Sequence, residues 1–413
     1  MASELIFKVR SLVVLRTQVQ PMFVVMLLSA SLAWGFTPDQ AVRQSLDVHP
    51  QLAIAQGQLA TAQAQRNQAR GLRYNPQLQV WAASPERADM DASLPLSLSG
   101  EGWFARQAAG HQVRAGTESL RRTQLIVAAE VRRAYAQATV AVGLVGVALE
   151  GQELAARLRY GVGRKFQEGE ASDLELRLAK LTETQAAVRL LEARQEEAMA
   201  LRLLVSWVQL PLRASDLDTD PLSTVPVSST PNEETRSDVL AAQSALQAAE
   251  AQLRLARASA LPPVSVGLGV ELEGGQPAIG PSLGVRLPLA SRNQVGRAQA
   301  QANVQVAEAQ LSGLEAQVEV ERQTAQLRVE QGEGLTSGSL GEPMGELQDA
   351  HDALASVEAG VLAGEIDLSS AVLLQSQILD GEAAVVRLRG LLADAALDRM
   401  LAMDDAALLG GAP

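Results

Sequence analysis

The 413-residue chain contains no cysteine, only three histidines, and few aromatic side chains. Without cysteine there is no disulfide framework, no thiolate metal site and no lipid-modified N-terminal Cys. His49, His111 and His351 stand far apart, and none has a neighbour at ligand spacing such as i+4. Neither a metal site nor a His-based catalytic triad is therefore expected. No glycine-rich phosphate loop follows a strand pattern, so nucleotide binding has no support either. The chain reads as a non-enzyme with no cofactor. Basic charge is also scarce: 35 Lys and Arg against 47 Asp and Glu leave a net charge of -12. A nucleic-acid partner needs the opposite balance to neutralise phosphates. Aromatics at 3% within a 47% apolar composition rich in Ala, Leu and Val disfavour a thick globular core. They suit long helices packed closely through small side chains.

Long apolar runs are missing too. The longest near the N-terminus, Met22 to Leu28, falls short of the roughly 20 residues that span a bilayer as a helix. Lys8, Arg10 and Arg16 precede it and the small-residue stretch Ser29 to Ala33 follows. Residues 1–33 thus read as a secretory signal peptide, and the mature chain as exported.

What is present is a duplication. The segment from Pro50 to Pro76 is echoed by Ser237 to Pro263, with Ala55/Ala242, Gln56/Gln243, Leu59/Leu246, Ala62/Ala249, Gln65/Gln252 and Arg70/Arg257 in register. Each copy runs helix, strand, strand, helix, helix. Repeat 1 covers residues 34–210, with a helix from Thr37 to Arg70, a β-hairpin over 77–99 and a long helical hairpin over 104–208. Thr37 and Pro38 mark the helix start as N-cap and first helical residue. The descending helix, from Phe104 to about Arg159 and ending at Gly161 and Gly163, would be on the order of 80 Å long. Residues 211–236, with four prolines among Ser, Thr and Asp, read as a linker. Repeat 2 covers 237–403, with a β-hairpin over 264–290 and a second helical hairpin over 294–403. A glycine-rich stretch, 332–345, is expected to break that hairpin or loop out of it, with a disordered bulge as the alternative, and 404–413 is a C-terminal tail. Gly169 and Gly364 mark matching turns at the same far end of the two hairpins.

The strands point to a membrane. Val264, Val266, Leu268, Val270 and Leu272 alternate with Ser265, Gly267, Gly269, Glu271 and Glu273; Leu283, Val285, Leu287 and Leu289 alternate with Ser282, Gly284, Arg286 and Pro288. The connection between these strands, 274–281, is rich in turn formers. In repeat 1, Leu78, Val80 and Ala82 make the first strand, and Leu94, Leu96 and Leu98 the second. Four strands per chain cannot close a barrel, and an open edge in lipid would leave backbone groups unpaired at several kcal/mol each. Several copies must share one barrel, and three would give about 12 strands, within the range of outer-membrane barrels. The helices continuing from such a ring form a hollow cylinder. A periplasmic adaptor, which also uses long helical hairpins, and a soluble coiled-coil scaffold are the alternatives.

Over essentially all of its mature length the chain resembles the outer-membrane factor family of TolC-like efflux channels. The resemblance lies in the opening Ala-Val-x-x-Ser-Leu-x-x-His-Pro-Gln-Leu (Ala41 to Leu52), in Arg236-Ser-Asp-Val239 with its helix, in the strand-to-helix passages Leu94 to Gly100 and Val285 to Gln294, and in the two turns. Arg292-Asn293-Gln294 and Gly364-Glu-Ile-Asp-Leu368 look most like the heavy-metal branch. The resemblance implies a mainly α fold with a homotrimeric 12-stranded β-barrel in the outer membrane, continued by a periplasmic α-helical barrel. It also implies a periplasmic adaptor, an inner-membrane pump and outer-membrane lipid as partners, and possible metal-cation cargo. Glu170, Asp173, Glu365 and Asp367, beside the turns, are candidates for an acidic ring at the periplasmic mouth; each equally suits a helix N-terminus, where the dipole favours a carboxylate.

Overall fold

The computed structural model describes residues 35–71, 74–84, 87–97, 99–218, 220–226, 235–273, 276–285, 292–338, 353–354, 356–357, 359–361, 363 and 365–410. The signal-peptide expectation, Gly364 and Leu287 lie outside the described residues.

The chain begins with α1 (Pro38–Val48) and α2 (Pro50–Arg70). Thr37 caps α1 with a full capping box: Gln40 N donates to Thr37 Oγ1 at 3.3 Å and Thr37 N donates to Gln40 Oε1 at 3.1 Å. The single helix expected from Thr37 to Arg70 is interrupted at His49, which is extended (φ -72°, ψ 128°). Pro50 forces this, because a residue before proline is pushed out of the helical region. Strands β1 (Gln77–Ser84) and β2 (Arg87–Leu96) follow, then α3 (Glu101–Gln167) and α4 (Asp173–Val208). The second repeat supplies α5 (Ser237–Ala258), β3 (Val264–Glu273), β4 (Gln276–Val285), α6 (Gln294–Gly338) and α7 (Leu368–Ala402).

α3 is the spine. Its 67 residues correspond to about 100 Å. It runs straight through Gly161 and Gly163, which the sequence suggested would end it, because the flanking Leu158 and Val162 are buried there and hold the helix together. α2 and α5 pack along its sheet-side half, and α4 and α7 along the remainder. The contact with α7 is close: a Cβ on Gly143 would lie 3.0 Å from Val386, one on Gly151 2.9 Å from Leu379, and one on Gly390 2.6 Å from Val140. The expected break at 332–345 does not begin at Gly332. α6 continues to Gly338, and Gly332 lies against Leu392 of α7, so a lack of side chain there serves helix contact. Residues 339–345 lie outside the described residues.

The four strands form one antiparallel sheet in the order β1-β2-β3-β4. β2 and β3 join the two repeats through an unbroken register from Arg87↔Glu273 to Leu96↔Val264. β4 is longer at its start than its alternation suggested, because Gln276 to Pro281, read as a connection, are paired with Glu273 to Leu268. Pro277 and Pro281 mislead as turn signals; a proline fits an edge strand, where its missing N–H faces away from the neighbour. β2 likewise begins at Arg87, well before Leu94, and Pro95 lies beyond the last residue paired with β1.

The main core lies mid-molecule, where Val127, Val131 and Tyr135 of α3 meet Ala41 and Val42 of α1, Leu204 of α4 and Leu397 of α7. The linker and tail belong to it. Leu217, in a short parallel bridge with Phe36, is buried, as are Thr224 and Leu408.

Candidate membrane sheet and helical tip

The register places the alternating apolar residues of the four strands on one face, except Trp81, which pairs with Asp89 on the other and is also exposed. Leu78 stands opposite Ala92, which stands opposite Leu268, itself opposite Pro281. Val80, Met90, Val270 and Ile279 form a second row, and Leu94, Val266 and Leu283 a third. Val264, Val266, Leu268, Val270, Leu283 and Val285 therefore share a face, as their spacing suggested. The face is uncovered: Leu268 is 61% exposed, Ile279 73% and Leu283 76%. Such a surface is unstable in water unless something apolar meets it. The opposite face carries Gln77, Gln79, Asp91, Ser93, Ser265, Gly267, Gly269 and Ser282. β1 and β4 are the two edges, each with a row of backbone donors and acceptors turned away from the sheet. Strands of 8 to 10 residues match the length that crosses a bilayer when tilted.

The opposite end of the molecule is a tip where the two hairpin turns meet. Gly169 has φ +80°, a conformation open to glycine at little cost, and lets Glu170 N and Ala171 N both reach Lys165 O at 2.8 and 3.3 Å. Ser172 opens α4 with a capping box to Glu175. In the second turn Glu365 N and Ile366 N both donate to Gly360 O, at 2.9 and 3.1 Å. Asp367 opens α7, accepting from the backbone of Ser369 and Ser370 at 3.2 and 3.1 Å and from both hydroxyls. These bonds hold its carboxyl well below the usual range, at about 2, with the Ser369 hydroxyl the largest cause. Lys165 Nζ bridges the turns by donating to Val361 O at 3.0 Å, over a small core of Leu158, Val162, Ala179, Leu368 and Ala371.

Of the four acidic candidates, Glu170 and Glu365 are exposed at the tip. Asp173 is exposed but paired with Arg177 one turn on, at 2.7 Å, and Asp367 serves its own helix as cap. Glu175, which the sequence reading did not select, lies near enough to Asp367 for their charges to oppose. Its carboxyl is nonetheless held low, first by the Ser172 backbone N–H. The Ser172-x-x-Glu175 pattern was the available signal for it.

Between tip and sheet, buried charges tie the repeats together without any local signature. Arg132 is 1% exposed and donates to Leu408 O, Thr224 O and Asp39 Oδ1 at 2.9, 2.9 and 2.5 Å. Tyr135 donates to Phe36 O and accepts from Asp218 N at 2.8 Å; burial pushes its hydroxyl up to about 12. Arg122 reaches Leu401 O at 2.7 Å and Asp404 Oδ1 at 2.9 Å, while Asp404 Oδ2 accepts from Ser237 N at 2.8 Å. Among the described residues no group of three or more His, Cys, Asp or Glu could hold a metal ion. α3 is the one described helix long and apolar enough to cross a membrane, by length and composition alone, and 44% of that stretch is buried inside the protein.

No family model matches the chain, and no curated protein matches it significantly. Its fold is that of solved outer-membrane channels. A membrane protein from Pseudomonas aeruginosa superposes with a TM-score of 0.72 at 20% identity, over 89% of this chain and 93% of that one. The outer-membrane channel OprN gives 0.70 at 16%, over 90% of each chain. The Campylobacter jejuni outer membrane channel CmeC gives 0.66 at 16%, over 89% and 85%.

Proposed function

We propose that the chain is one subunit of a TolC-like outer-membrane efflux channel and has no catalytic role. One observation carries this: a four-stranded sheet with a bare apolar face and two open edges leads into long helices, one of them about 100 Å. Lipid suits the bare face, and only strands of further copies can satisfy the edges inside lipid. Three copies would bring 12 strands, with the polar face lining a lumen that the helices extend through the periplasm. The adaptor and soluble-scaffold alternatives leave that face exposed to water.

A channel of this kind works with an inner-membrane pump and a periplasmic adaptor, which supply energy and choice of cargo. Glu170 and Glu365 are the acidic side chains at the tip best placed to meet cargo at the periplasmic mouth, because their carboxylates have no helix-capping duty. Metal cations as cargo rest on the resemblance of Arg292-Asn293-Gln294 and Gly364-Glu-Ile-Asp-Leu368, and Asn293 has a structural reason to be there. Its amide donates to Ala256 O and Ser259 Oγ at 3.1 and 2.8 Å, joining the end of α5 to the start of α6.

Fractionation of an expressing cell tests the reading. The channel predicts an outer-membrane protein that runs as an oligomer on a gel until heated. Recovery as a soluble periplasmic monomer would rule it out.

A further inference from the structure

The helix-side rim of the sheet carries a collar of positive charge that a chain of net charge -12 has no general reason to place there. Arg70 ends α2, Arg106 lies in the second turn of α3, Arg254 and Arg257 end α5, and Arg292 and Arg297 flank the start of α6. All six are exposed. At about 1.5 Å per residue they fall within roughly 8 Å of the strand-side helix ends. The carboxylates in the same segments are Glu101, which is buried and accepts from Tyr74 Oη at 2.8 Å, and Glu250. Among the described residues, Arg254 alone of the six has a carboxylate partner, Glu250 at 3.4 Å.

Arg70 and Arg257, at helix C-termini, have a local explanation in the helix dipole. Arg106 and Arg297 lie near helix N-termini, where the dipole opposes a cation, so a reason outside the helix is needed. Two large apolar side chains sit at the same level. Trp103 is 56% exposed, edge-on to Phe104 at 5.0 Å, and Leu261, three residues before β3, is 61% exposed. Both lie just beyond the strand ends in the sequence, exposed at the level of the arginines. At the hairpin end the charge is of the opposite sign: the polar face carries Asp89, Asp91 and Glu271 around an exposed Trp81.

We propose that this rim is a docking surface for anionic phospholipid headgroups: the arginines hold the phosphates, and Trp103 and Leu261 sit among the first carbons of the acyl chains. An indole with one apolar body and one polar N–H suits that boundary, and arginine can extend its charge to it along an apolar stem. The inference rests on the outer-membrane reading, and fixes which end of the sheet faces the inner leaflet. Arginine pairs with phosphate through a planar fork, whereas a neutral choline headgroup offers its phosphate behind its own cation.

Purified full-length oligomer, incubated in detergent with equal amounts of phosphatidylglycerol and phosphatidylcholine, is read by native mass spectrometry. Phosphatidylglycerol should be retained preferentially, less so as salt rises. The combined R106Q, R254Q, R257Q and R297Q variant should lower that retention by roughly tenfold or more. Equal retention of the two lipids by the wild type overturns the proposal even if the variant fails to assemble. So does unchanged preference in an assembled variant, or full displacement of the lipid by inorganic phosphate at matched concentration. Flotation with vesicles of pure phosphatidylcholine separates the two readings. A chain that floats there without preferring phosphatidylglycerol keeps the channel reading and loses this one, and a chain that floats with neither composition loses both.

Discussion

Arg132, midway along α3, donates from Nη2 to Asp39 Oδ1 in the first turn of α1 across 2.5 Å, and its other nitrogens hold the carbonyls of Thr224 and Leu408. One buried guanidinium thus joins the start of the chain, the inter-repeat linker and the C-terminal tail.

Replacing Arg132 with Met would leave two buried carbonyls and a carboxylate without their donor. Each buried carbonyl left without a donor costs about 1–3 kcal/mol, while the half-exposed Asp39 adds little because water reaches it. Thermal unfolding of the Arg132→Met protein should show a lowered midpoint. A midpoint equal to that of the wild type would mean that water or another side chain takes over these acceptors.

The close contact of α3 with α7 gives a second expectation. A Cβ at Gly390 would meet Val140 Cγ2 at 2.6 Å, and valine is stiff about χ1. Gly390→Leu should therefore separate the two helices at a cost of about 1–3 kcal/mol. Gly381, with open space around it, is the control: Gly381→Ala should leave the unfolding midpoint unchanged or higher.

The tip should loosen in acid. The Asp367 carboxyl is depressed from 3.8 to about 2 by the bonds that cap α7. A depressed folded value means that the cap stabilises the helix fully above pH 4 and is lost as the pH falls through about 2. Amide exchange at Ser369 and Ser370, referenced to unstructured peptides, should show protection at pH 5 that collapses near pH 2. Asp367→Ala should show the collapsed level at both pH values; equal protection at both in the wild type would contradict the cap.

The acidic ring has an electrical test. Channels carrying Glu170→Ala and Glu365→Ala together should lose cation preference in a planar bilayer. Asp367→Ala should change it less, because that carboxylate is directed to its own helix. Unchanged selectivity and cation block in the Glu170/Glu365 variant would remove these residues from the mouth.

Local chemistry was legible in the sequence, and distant pairing was not. The alternation from Val264 to Glu273 gave the strand and its apolar face, and Thr37-Pro38 and Ser172 gave helix starts, because each signal sits within a few residues of its effect. The start of β4 was misread because Pro277 and Pro281 signal turns unless the strand is known to be an edge, and edge status is a property of the sheet. Gly332 was misread as a break for a related reason: a glycine that ends a helix and one that admits a neighbouring helix look alike in one dimension. Gly161 and Gly163 were misread because the burial of Leu158 and Val162 beside them comes from residues far off in the chain. Arg132 and Arg122 were invisible because their partners, at Leu408 and Asp404, lie some 280 residues away. At the tip, the turn residues were readable but not which carboxylates would be taken up by capping.

The absence of native cysteine makes the decisive measurement clean. If copies of the chain close one barrel, β1 of one must pair with β4 of the next. Gln79→Cys, combined in turn with Gly280→Cys, Ser282→Cys or Gly284→Cys, places thiols on the same polar face of those two edges. Oxidation in outer membranes should give, for at least one pair, a covalent ladder that stops at three chains. Crosslinking that stops at two chains, continues beyond three, or never forms between chains would contradict the shared barrel.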